Sequence, residues 1–333
     1  MTWKDAATSD VVNAKAPSAV TRVALLLIPG FALMSYASAL EPLRAANTLA
    51  GRTLYAWRHV SPDGRPVEAS SGLVLDVDGG PGEGVSPDML IVCAGGNPAA
   101  FDDAATFAWL RALARQGVVI GGVSGGPVIL ARAGLLDGHH ATVHWEHAAA
   151  FAEDFPDVTL VPSLYQIDGR RLTCAGGVAA LDLMHQVIAE AHGGELARAV
   201  SDWFLQAHVR PGSGGQRLAP RERLGISSPK LEAVVGAMEG QLEEPLGRAA
   251  LARIAGLSLR QLDRLFSAHL GTSPERFYLS LRLDRARQLL RQSGLSATEI
   301  AVATGFASGS HFSRAYRQKF GVPPTGERRS RNG

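Results

Sequence analysis

The first two thirds of the chain alternate short apolar runs with longer stretches of helical periodicity. Apolar runs such as Val23–Ile28 and Met89–Cys93 have the length and continuity of strands that are buried on both faces, and Tyr55–Val60 is a further predicted strand. Segments such as Met34–Leu49 and Phe101–Arg115 have amphipathic helical spacing instead. This alternation predicts an α/β domain of the flavodoxin-like kind, a mostly parallel sheet covered by helices.

The same pattern continues to about residue 209 and then stops. Val118–Ile120 is a predicted strand that leads into a glycine-rich turn and a helix through Ala133. Later strands are predicted at Val158–Val161 and Tyr165–Ile167, and closing helices at Gly177–Ala191 and Glu195–Ala207. Residues 210–228 are rich in Pro, Gly, Ser and Arg without apolar periodicity, and only helical patterns follow. The predicted organisation is therefore a flexible arm (1–20), an α/β domain (21–209), a linker (210–228) and an all-α domain (229–333).

Composition and charge narrow the class of protein. The 333 residues carry a net charge of +2, but from Lys230 onwards 16 Lys and Arg stand against 9 Asp and Glu, a net charge of +7. A basic C-terminal domain joined to an acidic body indicates that only this domain meets a polyanion. Only two cysteines occur, neither a signal peptide nor a membrane span is evident, and we expect a cytoplasmic protein. We expect no cofactor and no metal site, and the adjacent His139 and His140 are expected to form a solvated turn.

The helical domain contains an approximate internal repeat. Leu251–Ser258 corresponds to Ile300–Ser308, and each segment is a short helix that ends at a glycine, Gly256 or Gly305. A second helix, amphipathic in its spacing, is predicted after each glycine. A short helix, a glycine turn and a second helix form the helix-turn-helix layout, so two such motifs are predicted.

The second helix of each motif has an apolar and a polar face. Leu262 and Phe266 in the first helix, and Phe312 and Tyr316 in the second, have the spacing of core positions. The N-terminal turn of a recognition helix reaches base edges in the major groove, where Arg pairs with guanine and Gln with adenine. The candidate DNA-contacting residues on the opposite faces are Arg260, Gln261 and Arg264 in the first helix and Ser310, His311, Arg314 and Arg317 in the second.

Short motifs give this domain a family resemblance. They include Arg264-Leu-Phe, Gly271-Thr-Ser-Pro, Ile300-Ala-x-x-x-Gly-Phe, His311-Phe-Ser-Arg and Phe320-Gly-Val-Pro-Pro. As an ordered set they resemble the DNA-binding domain of the AraC/XylS family. The resemblance implies a transcription regulator that binds double-stranded promoter DNA. The alternative is a helical interaction bundle whose arginines are solvated.

The α/β domain contains a motif that is typical of a nucleophile elbow. Gly122-Val-Ser124-Gly-Gly126 follows a predicted strand and fits Gly-x-Ser-x-Gly. A serine hydrolase or amidase with Ser124 as nucleophile and His144 as base, localised by the basic domain, is therefore an alternative function. The short interval between the two residues does not suit the order of an α/β-hydrolase, in which the acid precedes a distant histidine.

A second resemblance covers residues 21–209. It rests on Ile28-Pro-Gly-Phe, Glu41-Pro-Leu-Arg-Ala-Ala-Asn47, Val92-Cys-Ala-Gly-Gly, the elbow, Ala141-Thr-Val-His-Trp-Glu146 and Thr173-Cys-Ala-Gly-Gly. These residues resemble the PfpI-type, class I glutamine amidotransferase-like sensor domain that is often fused to an AraC-type domain. Catalytic members hold a cysteine at the elbow. Here the position is Ser124, which cannot supply an easily formed thiolate, so we expect a sensor without enzyme activity.

The glycine-rich elbow is present although its cysteine is replaced by Ser124, and this suggests that the elbow binds a ligand. Backbone amides of Gly125 and Gly126 at a helix start would favour a carboxylate, with Ser124 beside them. His144, Trp145 and Glu146 would hold a cationic amine by cation–π and charge contacts. Relatives by this resemblance respond to arginine or to quaternary amines, so the hypothesis is a zwitterionic effector, an amino acid or a quaternary amine.

The combined expectation is a ligand-responsive, sequence-specific DNA-binding regulator. A homodimer is expected, RNA polymerase is a possible further partner, and no membrane is involved. By family resemblance alone we expect an activator of genes for the catabolism of the effector.

Overall fold

The structure is a computed structural model that describes residues 19–217, 220–292 and 295–329. It divides into two compact units, Met1–Gln216 and Arg217–Gly333. Most of the predicted N-terminal arm lies outside the described residues. No helix in the described ranges is both long enough and apolar enough to cross a bilayer.

The first unit is an α/β domain. Its strands are β1 (Thr21–Leu27), β2 (Tyr55–Val60), β3 (Val67–Glu68), β4 (Val74–Leu75), β5 (Met89–Ala94), β6 (Val119–Ser124), β7 (His140–Ala141), β8 (Thr159–Leu160), β9 (Tyr165–Asp168) and β10 (Arg171–Cys174). Its helices are α1 (Leu33–Ala50), α2 (Ala104–Arg115), α3 (Gly126–Arg132), α4 (Ala148–Asp154), α5 (Ala179–His192) and α6 (Gly194–Trp203), with a 3₁₀ turn at Pro98–Ala100.

Six strands form the central sheet in the order β2-β1-β5-β6-β10-β9. All neighbouring pairs are parallel except β10 with the edge strand β9. Alternate residues of β1 enter two separate hydrophobic clusters, Leu25 and Leu27 in one and Ala24 and Leu26 in the other. Both faces of the sheet are therefore covered, which confirms the predicted mostly parallel α/β fold.

Three differences from the sequence expectations have local causes. The predicted helix Phe101–Arg115 begins at Ala104, because the Asp103 side chain accepts hydrogen bonds from Ala105 N and Thr106 N. The predicted helix to Ala207 ends at Trp203, and Leu205 adopts a φ of 54° that a helix cannot contain. Strand β10, which lies inside the sheet, is absent from the sequence prediction, since four residues that begin with an arginine show no clear period.

The second unit is helical in the described residues. Its helices are α7 (Pro220–Arg223), α8 (Pro229–Gly240), α9 (Arg248–Ile254), α10 (Leu259–Leu270), α11 (Pro274–Gln292), α12 (Ala297–Ala303), α13 (Gly309–Phe320) and α14 (Pro324–Arg329).

Both predicted helix-turn-helix motifs are present, α9–α10 and α12–α13. Each turn contains a glycine with positive φ, Gly256 at 61° and Gly305 at 71°. A Cβ at Gly305 would lie 2.7 Å from Glu243 O, so this turn needs glycine for space as well as for conformation. Leu262 and Phe266 are fully buried, as the spacing predicts.

A buried carboxylate on α14 connects this helix to α11 and α13. The Glu327 side chain is only 3% exposed and accepts hydrogen bonds from Arg287 Nε (2.9 Å), Arg291 Nε (2.7 Å) and Tyr316 OH (3.0 Å). Burial alone would raise the pKa of this carboxyl, but these three donors outweigh burial and hold the pKa below its ordinary value.

We expect Glu327→Gln to lower the free energy of unfolding of the second unit by about 2 kcal/mol at pH 7, because the charged acceptor of two arginines is lost. A carboxyl with a depressed folded pKa stabilises the fold above its unfolded pKa, 4.5 here. The difference between wild type and variant should therefore shrink as the pH falls below that value. Hydrogen exchange of α11 and α14 at pH 7 and pH 4 measures both effects. An equal difference at the two pH values would contradict the role of the charge.

Candidate ligand site and nucleic-acid interface

The elbow predicted from Gly-x-Ser-x-Gly is formed at the carboxyl end of β6. Ser124 has a φ of 59°, an uncommon conformation for a residue with a side chain and one that clusters at functional sites. A Cβ at Gly126 would lie 2.2 Å from Val92 O, and one at Gly122 would lie 2.7 Å from the Gly126 carbonyl carbon. The two glycines are therefore required for the sharp strand-to-helix turn.

The Ser124 hydroxyl makes no hydrogen bond with any residue that the structure describes. A Cβ placed on Gly176 would lie 2.7 Å from the Cβ of Ser124, so the loop after β10 approaches Ser124 closely. Ser35 Oγ, at the start of α1, accepts a hydrogen bond from Gly177 N at 2.7 Å. Sequence reasoning missed Ser35 as a residue near the elbow, although Gly176 and Gly177 belong to a motif that carried the family resemblance.

The backbone amides of Gly125 and Gly126 at the elbow differ in whether they already have a hydrogen-bond acceptor within the protein. Gly125 N donates to Ala94 O at 3.0 Å, which continues the ladder between β5 and β6. That amide is therefore occupied and is not free for a carboxylate. Gly126 N lies at the first position of α3, where a helix supplies no acceptor.

His144, Trp145 and Glu146 lie together in the loop between β7 and α4. His144 Nδ1 accepts from Glu146 N at 3.3 Å, which favours the tautomer with hydrogen on Nε2, and Glu146 Oε2 lies 3.6 Å from Nδ1. The centroids of the His144 and Trp145 rings are 5.3 Å apart. Burial lowers the pKa of His144 and outweighs the opposing effect of Glu146, so the imidazole is neutral near pH 7.

His147 is a further member of this loop that sequence reasoning missed. It is 8% exposed, and its ring centroid lies 6.2 Å from that of His144. Burial and the neighbouring His144 both lower the pKa of His147. No spacing in the sequence distinguishes a buried histidine here from a solvated one.

The arrangement lacks the geometry of a serine hydrolase. No hydrogen bond joins Ser124 to His144 in the described part of the chain, and the nearest carboxylate to His144 is 3.6 Å away on an exposed side chain. A serine hydroxyl needs a base within hydrogen-bond reach to become a nucleophile.

We therefore expect a fluorophosphonate probe to leave Ser124 unmodified. Intact-mass measurement after incubation of the full-length chain checks this, with Ser124→Ala as the control for labelling elsewhere. A mass increase that disappears in Ser124→Ala would support the hydrolase alternative.

A cavity of about 390 Å³ is present elsewhere in the first unit. It is lined by Tyr165, Gln166, Ile167, Gln186, Pro211, Gly212 and Ser213. None of the six residues predicted to bind a ligand lines it. His139 and His140 both approach Asp168 Oδ2, at 3.4 and 3.5 Å, but in the described ranges no group of three or more His, Cys, Asp or Glu residues is arranged so that it could hold a metal ion.

All seven predicted DNA-contacting residues are exposed on α10 and α13. The Ser258 and Ser308 side chains cap these two helices by accepting from Gln261 N and His311 N. Gln261 Oε1 in turn accepts from Ser258 N at 2.9 Å. This capping box occupies one of the two groups that Gln261 would need for a paired contact with adenine.

The arginines of the second unit fall into two groups. Arg248 pairs with Asp263 and Glu275, and Arg282 donates to the carbonyls of Thr304 and Gly305. The four predicted DNA-contacting arginines, by contrast, form no hydrogen bond or ion pair through their side chains with any described residue. They are Arg260, Arg264, Arg314 and Arg317. Their charge is available to a partner molecule.

Comparison with known proteins agrees with this division into two units. Residues 251–330 match a model described as a helix-turn-helix domain, and residues 21–190 match the DJ-1/PfpI family. The chain is 49% identical to the HTH-type transcriptional regulator GlxA of Rhizobium meliloti, over 98% of this chain and 99% of that regulator. It is 47% identical to the HTH-type transcriptional regulator CdhR of Pseudomonas aeruginosa, over 91% and 90% of the two chains.

A solved structure is similar to part of the chain. The crystal structure of an AraC family transcriptional regulator from Pseudomonas putida aligns with a TM-score of 0.50 and 27% identity. It covers 55% of this chain and 99% of that one. The relatives with full-length similarity are transcription regulators, and they give no support to the hydrolase alternative.

Proposed function

This chain belongs to the DJ-1/PfpI family and is an AraC-type helix-turn-helix transcription regulator, and on that premise we propose that α10 and α13 are the recognition helices that read promoter DNA. The observation that carries the proposal is the pair of capped helices whose exposed faces present arginines that have no side-chain partner among the described residues. Arg264 and Arg314 lie at equivalent positions of the two helices and are the proposed base-reading residues. Arg260 and Arg317 would contact bases or phosphates nearby.

Selection of duplexes from a random library by the full-length chain tests this proposal. Two recognition helices in one chain should enrich two short elements spaced by about one helical turn, roughly 10 base pairs. Enrichment of one element alone would show that only one motif reads bases. No enrichment would contradict sequence-specific recognition.

For the first unit we propose a sensor that binds a small zwitterionic effector between the elbow and the loop that carries Trp145. Four features support a site of this chemistry: a Ser124 hydroxyl without a hydrogen bond to any described residue, the Gly126 amide, a neutral His144 packed against the Trp145 indole, and the Glu146 carboxylate near His144. An indole face and a carboxylate together attract a quaternary ammonium or guanidinium group. The proposed effector is an amino acid or a quaternary amine.

We expect Trp145→Ala to weaken effector binding about fivefold or more, because a cation–π contact of roughly 1 kcal/mol is removed. Calorimetry with L-arginine, carnitine and glycine betaine measures this after a thermal-shift screen has identified the compound that binds. Trp203→Ala is the matched control, since Trp203 is a half-exposed tryptophan of the same unit. Unchanged affinity in Trp145→Ala would remove the indole from the site.

We further propose that the regulator acts as a homodimer and as an activator of genes that degrade the effector. Effector binding would shift the arrangement of the sensor units and so change how the helical units engage DNA. Contact with RNA polymerase is the proposed route to activation.

A further inference from the structure

The segment 206–216, which we call the strap, is the last part of the first unit and is hydrogen-bonded to the rest of that unit. The sequence assigns most of it to a linker. In the structure the Arg210 guanidinium donates to Asp182 Oδ2 through Nε (2.9 Å) and Nη2 (2.5 Å), and Leu164 N donates to Gly212 O at 2.8 Å. The strap is therefore anchored at its start and its middle.

The end of the strap is held by one side chain, Gln216. Its Oε1 accepts from Trp145 N at 2.7 Å, and its Nε2 lies 2.8 Å from Val143 O, 2.7 Å from Ser163 O and 3.1 Å from Thr142 Oγ1. An amide nitrogen has two hydrogens, so the two carbonyls are its main acceptors. The side-chain oxygen and nitrogen of Gln216 are both bonded to residues that are 53 to 74 positions away in the chain.

Gln216 lies at the boundary between the two units, so its contacts fix the point at which the second unit begins. Gln216 is the last residue of the first unit, and Arg217 is the first residue of the second. Trp145 lies in the loop that we assign to the effector site. The backbone of Gln216 makes no hydrogen bond with a described residue, and two glycines, Gly214 and Gly215, precede it. Among the described residues, Gln216 is therefore held by the hydrogen bonds of its side chain and not by those of its backbone.

We propose that Gln216 is a positioning residue that transmits the conformation of the loop 142–145 to the start of the DNA-binding unit. A shift of the Trp145 backbone on effector binding breaks or moves the bond to Gln216 Oε1, and the start of the second unit at Arg217 responds because it is the next residue in the chain. This inference rests on the proposed function for the place of the effector, but the coupling of loop and strap does not.

Hydrogen exchange of the full-length chain without any effector tests the coupling itself. In Gln216→Ala we expect exchange to rise about fivefold to tenfold both in the loop 142–147 and in residues 213–217, because the mutual bonds are lost. Gln216→Glu should do the same, since it keeps the acceptor but places carboxylate oxygen against two carbonyls. Ser213→Ala, an exposed strap residue, is the control and should leave both segments unchanged. A rise confined to the strap would overturn the proposal.

Effector-dependent DNA binding tests the transmission. L-arginine and glycine betaine are the probes, and the DNA is the duplex that the wild type selects. We expect Gln216→Ala to bind the probe within about threefold of wild type while the effect of the probe on DNA affinity falls about tenfold. An unaltered effect of the probe would overturn the proposal. If neither probe binds the wild type, the proposed effector class fails, and the hydrogen-exchange result still decides the coupling.

Discussion

Replacing Asp182 by alanine is expected to lower the free energy of unfolding of the first unit by about 3 kcal/mol. The Asp182 side chain has no exposed surface, and its two oxygens accept four hydrogen bonds, from Gln206 Nε2, from Arg210 N and twice from the Arg210 guanidinium. Removing the carboxylate leaves the Arg210 guanidinium, the part-buried Arg210 backbone amide and the Gln206 side chain without this acceptor. The loss exceeds that of a surface ion pair because the anion is fully desolvated.

Urea unfolding followed by tryptophan fluorescence measures this effect in the full-length chain. All five tryptophans precede residue 217, so the signal reports the first unit alone. Asp202→Ala, an exposed aspartate on α6, is the matched control and should change the free energy by less than about 0.5 kcal/mol. An Asp182→Ala variant as stable as this control would show that the contacts of Asp182 with Gln206 and Arg210 contribute nothing to the stability of the fold.

Arg264→Ala and Arg314→Ala are each expected to weaken binding to the selected duplex by about 1–3 kcal/mol. Each arginine lies on the exposed face of a recognition helix and has no partner within the described residues, so its paired donors are available to guanine. Because the two residues lie in separate motifs, we expect their effects to add, and the double variant should lose most of its sequence preference.

Fluorescence anisotropy with the selected duplex and with a scrambled duplex separates base reading from charge. Arg276→Ala, which removes an exposed arginine outside the two recognition helices, is the control. A base-reading arginine lowers affinity for the selected duplex more than for the scrambled one. Equal losses on both duplexes would reassign Arg264 and Arg314 to phosphate contacts.

The parts of the fold that the sequence predicts are those with a local repeating signal. Val23–Ile28 and Met89–Cys93 are apolar at every position because both faces of the sheet are covered. The stripe of Leu262 and Phe266 identified the buried face of α10, and hence also its exposed face. The same reasoning missed β10, because four residues are too few to show a period.

Polar contacts between residues that are far apart in the sequence produce no repeating pattern from which they could be predicted. Asp182 and His185 lie one helical turn apart in the sequence, but the main partner of Asp182 is Arg210, and His185 Nδ1 lies 2.8 Å from Ser201 Oγ. The bond from Trp145 N to Gln216 joins residues 71 positions apart, and that from Gly177 N to Ser35 joins residues 142 apart. Such pairs depend on how whole elements pack, which a single sequence does not specify.

The salt dependence of duplex binding by the full-length chain tests the central claim most directly. If α10 and α13 lay their exposed arginines against duplex DNA, affinity for the selected duplex should fall steeply as salt rises and should exceed that for the scrambled duplex at every salt concentration. Each phosphate contact should contribute about −0.9 to the slope of log affinity against log salt. Affinity that is independent of salt, or equal for both duplexes throughout, would contradict the account.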